Sequence, residues 1–379
     1  MPIAIVNQDE AQAIAGEQLS VGAMFERELL KRAEGAGDKP IRLIQYDSLE
    51  QARADLLDNK LTAVAILPPN LTADVVKIGT SVGKAEPVEA TVLLNEGAGA
   101  LQPAVVTKAA NTAEAELAGT VSSLLVSQLD ELGIKVEPGN AASIGRPVRV
   151  NYESTPSLTD RAGRGLPPLY YSVVVTLTGL LSAVALHLLV GVMVGREEEE
   201  ILGRPVRLPK LDLGPWERFK VEASLLIPAS VLGGLAATAT AAWIIDTQMA
   251  NVAMTALVSV LGTLALAWLT LAVITGFGEL GLLVAVLATT IFGVPSARGV
   301  YPVEAMPAFF SALGFLPMRW IVDGARASFY FDGRGAAGLQ GSIIVLSLYI
   351  VGSLVCGVGI ARICHRRAAT GAEPQVQDG

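Results

Sequence analysis

Leu169–Gly195 reads LYYSVVVTLTGLLSAVALHLLVGVMVG, and the rest of the chain sorts itself around this stretch. Its run of about 27 residues carries no formal charge and is interrupted only by His187, with Arg196 directly behind it. At ~1.5 Å per residue a helix of that length covers roughly 40 Å, enough to cross the ~30 Å hydrocarbon core of a bilayer with some tilt. Residues before it are rich in Glu, Asp, Lys and Arg, whereas residues 222–295 hold almost none. The pattern predicts a water-facing domain joined to a helical membrane bundle.

Composition agrees. The 379 residues are 51% hydrophobic and 17% charged, with mean hydropathy +0.49. Ordinary soluble domains carry about 25% charged residues. A net charge of −8, with no basic run, argues against nucleic acid as a partner. Cys356 and Cys364 stand eight apart in a helical pattern, about 12 Å along the axis, too far to pair with each other. No Cys/His spacing suits zinc, and two histidines, His187 and His365, leave little for a catalytic triad. No GxxxxGK[ST] loop is present, so any ATP must be bound by another subunit. These features predict no enzyme, no cofactor and no metal.

The first ~150 residues alternate strand and helix signals. Strands are expected at Ile3–Val6, Ile41–Tyr46, Ala63–Leu67, Ala90–Asn95 and Arg146–Val150. Helices are expected at Glu17–Ala33, Leu49–Leu57 (capped by Asp47 or Ser48), Asn70–Ile78 and Leu101–Leu132, the last ended by Gly133. The fold class is therefore a polytopic α-helical membrane bundle with an N-terminal α/β extracytoplasmic domain over 1–154. Residues 155–168, rich in Pro and Gly, read as the linker to the membrane.

Five spans are predicted, at about 169–195, 223–245, 252–274, 280–294 and 342–361, within a membrane domain 169–364 followed by a tail 365–379. Small residues such as Gly233, Gly234, Ala236 and Ala237 suit close helix packing in lipid. Basic residues bias the 196–221 loop and the C-terminus toward the cytoplasm, about nine Lys/Arg against about six on the other side, which puts 1–168 outside the cell. A multi-pass plasma-membrane location follows. An N-terminal domain exported ahead of its first span calls for a further apolar span upstream of Met1, giving six.

Between the last two spans, Ala305–Leu316 and Arg319–Phe331 are apolar but too short to cross. Pro302, Pro307 and Pro317 divide the segment, which reads as outer re-entrant or interfacial helices over 302–331, with Arg319 and Arg326 among their charges and Tyr301, Trp320 and Tyr330 as interface anchors. His187 reads either as a proton-relay group or as a neutral histidine hydrogen-bonded between helices. Glu197–Glu200 reads either as a solvated helix extension or as a docking point for an ATPase or a cation, and Glu279 either as a solvated turn residue or, facing the bundle interior, as a polar pathway residue.

The segments PIAIVNQDE (2–10), YDSLEQARADLLDNKLTAVAILPPNLTADV (46–75), VLLN (92–95) and YPVEAMPAFFSALGFLPMRWIVDGAR (301–326) resemble the phage infection protein (YhgE/Pip) group of the type 2 ABC exporter permeases. The resemblance covers nearly the whole chain. It implies an exporter permease subunit, paired with a second copy or a partner permease and driven by a separate cytoplasmic ATPase; the apolar and small residues of the spans point to a hydrophobic or amphiphilic substrate. That ATPase would dock beneath the 196–221 loop. The loop matches no clear coupling motif; its candidate coupling residues are Arg204, Arg207, Trp216, Arg218 and Lys220, and Trp216, Arg218 and Lys220 read either as an interfacial helix that transmits ATPase movement or as plain membrane anchors. The alternative is a non-transporting surface protein, a phage-receptor-like or secretion-system scaffold.

Overall fold

The computed structural model describes residues 1–14, 17–34, 41–81, 85–131, 140–194, 200–201, 204–205, 213–297 and 307–370. The chain forms two compact units, one over Met1–Gly165 and one from Leu166 onward.

The first unit is α/β. Its strands are β1 (Pro2–Asn7), the hairpin pair β2 (Gln12–Ile14) and β3 (Glu17–Leu19), β4 (Arg42–Tyr46), β5 (Ala63–Leu67), β6 (Val88–Leu94) and β7 (Val148–Ser154). Helices α1 (Val21–Glu34), α2 (Leu49–Leu57), α3 (Leu71–Thr80), α4 (Gln102–Glu131) and α5 (Ala141–Gly145) connect them. The main sheet runs β4-β1-β5-β6-β7, with β5–β6 the antiparallel pair and the other neighbours parallel. The IAIV run of β1 is buried on both faces because β1 pairs on both edges and helices cover both sides. Ala4 and Val6 meet Ala52 and Leu56 of α2, while Ile3 meets Val92 and Val106 of α4 on the opposite face.

The helix expected at Glu17–Ala33 begins instead at Val21. Glu17–Leu19 pairs with Gln12–Ile14, and Asp9 and Ser20 fix the helix start: the Gly22 N–H donates to Asp9 Oδ2 (2.8 Å) and the Ala23 N–H to Ser20 Oγ (3.1 Å). Asp9 also accepts from the Thr72 N–H (2.8 Å) and the Thr72 hydroxyl (2.6 Å), so one carboxylate ties the starts of α1 and α3 together. Ser48 caps α2 by accepting from the Gln51 N–H. Gly133, the expected end of α4, lies outside the described residues.

Beneath α4 lies a cavity of about 820 Å³. Its floor is the inner sheet face, Ile3, Ile5, Ala65, Val92 and Val150 among others; its roof is an α4 stripe of Val105, Val106, Ala109, Ala110 and Ala113. Alanines stand where a helix packed tightly on a sheet carries leucines, and that difference opens the space. The space opens to the surface along one side of α4, so it is a half-open apolar groove rather than a sealed void.

The second unit is helical: α6 (Pro167–Val194), a minimal hairpin β8 (Glu200–Ile201) and β9 (Arg204–Pro205), α7 (Pro215–Ala239, continuing to Ile244), α8 (Val252–Phe277), α9 (Glu279–Leu287, continuing through Gly293), α10 (Val294–Ser296), α11 (Ala308–Ala312), α12 (Pro317–Tyr330) and α13 (Gln340–Thr370). Four helices are long and apolar enough to cross a membrane: Pro167–Met193, Pro215–Ile244, Val252–Phe277 and Gly335–Arg367. The expected span at 280–294 is a shorter apolar helix, Leu280–Ser296, roughly 25 Å long at ~1.5 Å per residue. Leu181, Leu232, Ile244, Leu280, Leu348 and Val355 are exposed on these helices, the surface of a membrane protein rather than of a water-soluble bundle.

α8 is the hub, packed against α6, α7, α9, α12 and α13. Glycines let the neighbours approach: a Cβ at Gly179 of α6 would lie 2.5 Å from the Thr263 carbonyl oxygen, and one at Gly234 of α7 2.7 Å from the Val260 nitrogen. Two element boundaries differ from the sequence expectation. α7 begins at Pro215, eight residues before the expected Ala223, so Trp216, Arg218 and Lys220 lie on its first turns rather than in a loop. α13 runs on to Thr370, past the expected span end at Ala361, so Arg362 is helical and His365, Arg366 and Arg367 are helical rather than part of a tail.

Candidate functional site

At the end of the helical unit where α6 stops and α7 starts, three ionisable side chains meet. Arg218 Nε donates to Glu222 Oε1 (2.7 Å), one turn further along α7. Its Nη2 donates to the His187 carbonyl oxygen (2.9 Å) and lies 3.2 Å from His187 Nε2. His187 Nδ1 lies 3.1 Å from Glu222 Oε1. With the ring proton on Nδ1, the imidazole donates to Glu222 and accepts from Arg218, so each member of the cluster is used. The Glu222 side chain is 2% exposed. A carboxylate so buried on an apolar helix is stable only because a guanidinium and an imidazole face it.

The cluster fastens α6 to α7, and its neighbours extend the connection. Trp268 of α8 donates from Nε1 to the Ala223 carbonyl (3.1 Å). Phe219 lies on Gly357 of α13, at the face where a glycine alone gives room for the ring. Trp216 stacks along Phe219 (6.5 Å between centroids) and is flanked by two cations, Arg362 of α13 at 4.9 Å and Lys220 at 5.3 Å. The first three turns of α7 thereby touch α6, α8 and α13. Of the five expected coupling residues, Trp216, Arg218 and Lys220 are brought together here. Arg218 points inward to the ion cluster rather than outward to a partner. Arg204 lies in the β8–β9 hairpin by its backbone, and Arg207 is outside the described residues.

Compared with protein-family models, curated proteins and solved structures, the chain matches none. Its function must therefore be read from the chemistry of the sites.

A second polar layer occupies the opposite end of the same three helices. The Tyr171 hydroxyl of α6 bonds to Thr238 of α7 (2.8 Å) and to Ser259 of α8. Between the two layers, the hydroxyls of Thr176, Ser230 and Thr263, one on each helix, are buried and have no hydrogen-bond partner among the described residues. Each such group costs about 1–3 kcal/mol when left unsatisfied.

α12 is packed inside the helical unit. Ile321 packs on Gly262 and Met318 on Gly293, while the N–H groups of Ala250 and Asn251 donate to the carbonyls of Phe329 (3.0 Å) and Ser328 (2.9 Å). It thus runs alongside the first half of α8. Pro317 starts it at the first helical position, where no N–H is needed; Pro307 precedes α11 in the same way. Pro302 and Tyr301 lie outside the described residues. Tyr330, expected as an interface anchor, is instead 4% exposed and edge-on to Phe329. Arg326 is 5% exposed and within 3.7 Å of Asp323; Arg319 reaches the same carboxylate at 3.6 Å, donates to the Gly314 carbonyl (3.0 Å) and lies over the Trp320 ring.

Sequence reading missed Glu222. Its signal was available: an Arg–Glu pair at i, i+4 immediately before an apolar run, with a histidine facing it from the preceding span. Among the described residues no group of three or more His, Cys, Asp or Glu could hold a metal ion.

Proposed function

We propose that the chain is the permease subunit of an exporter that moves a hydrophobic or amphiphilic substrate and is driven by a separate ATPase docked at the α6–α7 end. The orientation that follows places this end in the cytoplasm and the α/β unit outside, consistent with the basic residues near Trp216. The supporting observation is the joint at the start of α7. Trp216 between two cations presents a surface, and behind it the Arg218–Glu222–His187 cluster binds α6 to α7. A displacement applied at Trp216 would be passed to three other helices through packed and ion-paired groups rather than absorbed by a loop. The partnerless hydroxyls of Thr176, Ser230 and Thr263 fit a bundle that repacks during a cycle and meets water or substrate in its other state. Two copies, or a pair of related permeases, would enclose the path.

The test is affinity purification of the full chain in mild detergent with mass spectrometry of its partners. An ATPase should co-purify, and its recovery should fall at least several-fold in Trp216→Ala and Lys220→Ala. Arg218 is unsuited to this test, because its loss would unbalance the buried cluster. Recovery of surface or secretion components with no ATPase would overturn the export reading in favour of the scaffold.

A further inference from the structure

The cavity under α4 has the features of an acyl-chain site. We infer that the α/β unit binds a single acyl chain with an anionic head, the chain lying between α4 and the inner sheet face and the head at Lys108. Three observations carry this. The volume, about 820 Å³, falls within the ~300–1,000 Å³ of small-molecule sites. The deep walls are aliphatic on both sides, from Ile3 and Ile5 across to Ala109 and Ala113, and offer water no set of polar partners. Polar groups gather at α4's outward edge: Lys108 and Thr112 line both this cavity and the adjoining surface hollow on α4.

The charges at that edge select an anion. Glu114 also lines the cavity, but Arg146 lies 3.8 Å from its carboxylate. Lys108 is exposed, and among the described residues no carboxylate pairs with it. A carboxylate or phosphate held at the mouth would meet that ammonium while the chain stays dry. Alanine at 109, 110 and 113 is what makes the room, so the selectivity for a slender aliphatic chain is written in α4.

This inference deepens the export reading by naming a chemical class of cargo. Its test needs no ATPase, so the two readings fail separately. The full chain, purified in detergent, is exposed to palmitic acid carrying a diazirine near the chain end, illuminated, digested and mapped. A diazirine-bearing phosphatidylglycerol serves in a parallel arm, to separate free fatty acid from membrane lipid as the source. Label is expected on peptides containing Ile3–Ile5, Val92 or Val105–Ala113, saturable by unlabelled palmitate. The double variant Ala109→Leu/Ala113→Leu should reduce it about tenfold. Lys108→Glu should lower labelling by the acid several-fold and leave a diazirine fatty alcohol unchanged. Label confined to 167–370 in both arms would overturn the inference, as would label in the α/β unit that the cavity-filling variant leaves intact. If that variant fails to fold, Val150→Phe fills the space from the sheet side and is read the same way. Equal loss of acid and alcohol labelling in Lys108→Glu would overturn the assignment of the head.

Discussion

Glu222 is the residue on which the helical unit is most exposed to single changes. Glu222→Ala leaves the Arg218 guanidinium and His187 Nδ1 facing apolar surroundings, and removing one partner of a buried ion pair typically costs about 3–5 kcal/mol. Replacing both ions by apolar residues of similar size, Arg218→Met with Glu222→Leu, should cost far less, because no charge is stranded. Thermal unfolding in detergent of the two singles and the double checks this; a double as damaged as the singles would mean the cluster supplies net stability rather than mutual neutralisation. Asp9 makes a parallel case in water. Asp9→Ala deprives Ser20 Oγ, the Gly22 N–H and both Thr72 donors of an acceptor and should cost about 2–3 kcal/mol. Asp55 adds a pH dependence. Hydrogen bonds from Lys60 (2.8 Å) and then Tyr46 (2.9 Å) hold its carboxyl below the usual carboxylate range. A depressed carboxyl stabilises the fold above its unfolded pKa of about 4 and loses that contribution as pH falls through its lower folded value. Asp55→Asn should therefore flatten the stability of the α/β unit between about pH 5 and 2 in acid titration. An unchanged titration would deny Asp55 that role.

Elements differ in how openly the sequence announces them. Leu49–Leu57 and Ala63–Leu67 begin and end where read, because a serine cap and a proline pair punctuate them. The β2–β3 hairpin escaped because Glu17-Gln18-Leu19 is as acceptable to a helix as to a strand; Asp9, far away in space until the chain folds, decides where α1 starts. The start of α7 escaped for a related reason. Four charged residues, Glu217, Arg218, Lys220 and Glu222, pushed the apolar window past them, yet two of those charges neutralise each other inside the bundle. Of the cluster at the start of α7, Trp216, Arg218 and Lys220 were visible in the sequence, whereas Glu222 and Arg362 join it only through packing between helices. Close helix approach was legible as small residues but not which ones matter. Gly234 and Gly352 separate these possibilities. A Cβ at Gly234 meets backbone of α8 under 3 Å away, while one at Gly352 meets nothing within 4 Å. Gly234→Ala should lower the yield of folded protein and its melting temperature by several degrees, and Gly352→Ala should leave both unchanged within error. Equal behaviour of the two variants would show that α7 and α8 can part without cost.

The division of the whole chain into two units follows from two different ways of burying apolar surface. Residues 1–165 close their own cores on both faces of the sheet, with Leu56, Leu71, Val75 and Val92 inside. The helical unit instead leaves leucines and isoleucines outward and hides hydroxyls, Glu222 and Arg326. Water drives the first arrangement; the second is stable where lipid or detergent covers the apolar outside. The two units should respond to different solvents. In calorimetry of the full chain, one transition is expected to keep its midpoint when the detergent is changed from a long to a short alkyl chain, and a second is expected to fall. Asp9→Ala should lower the first alone and Glu222→Ala the second alone, since each carboxylate is bonded wholly within its own unit. A segment of residues 1–165 should reproduce the detergent-insensitive transition in plain buffer. One transition that moves with the detergent and with both variants would mean that the units fold as a single cooperative body, and that the cores of the α/β unit are not enough to sustain it.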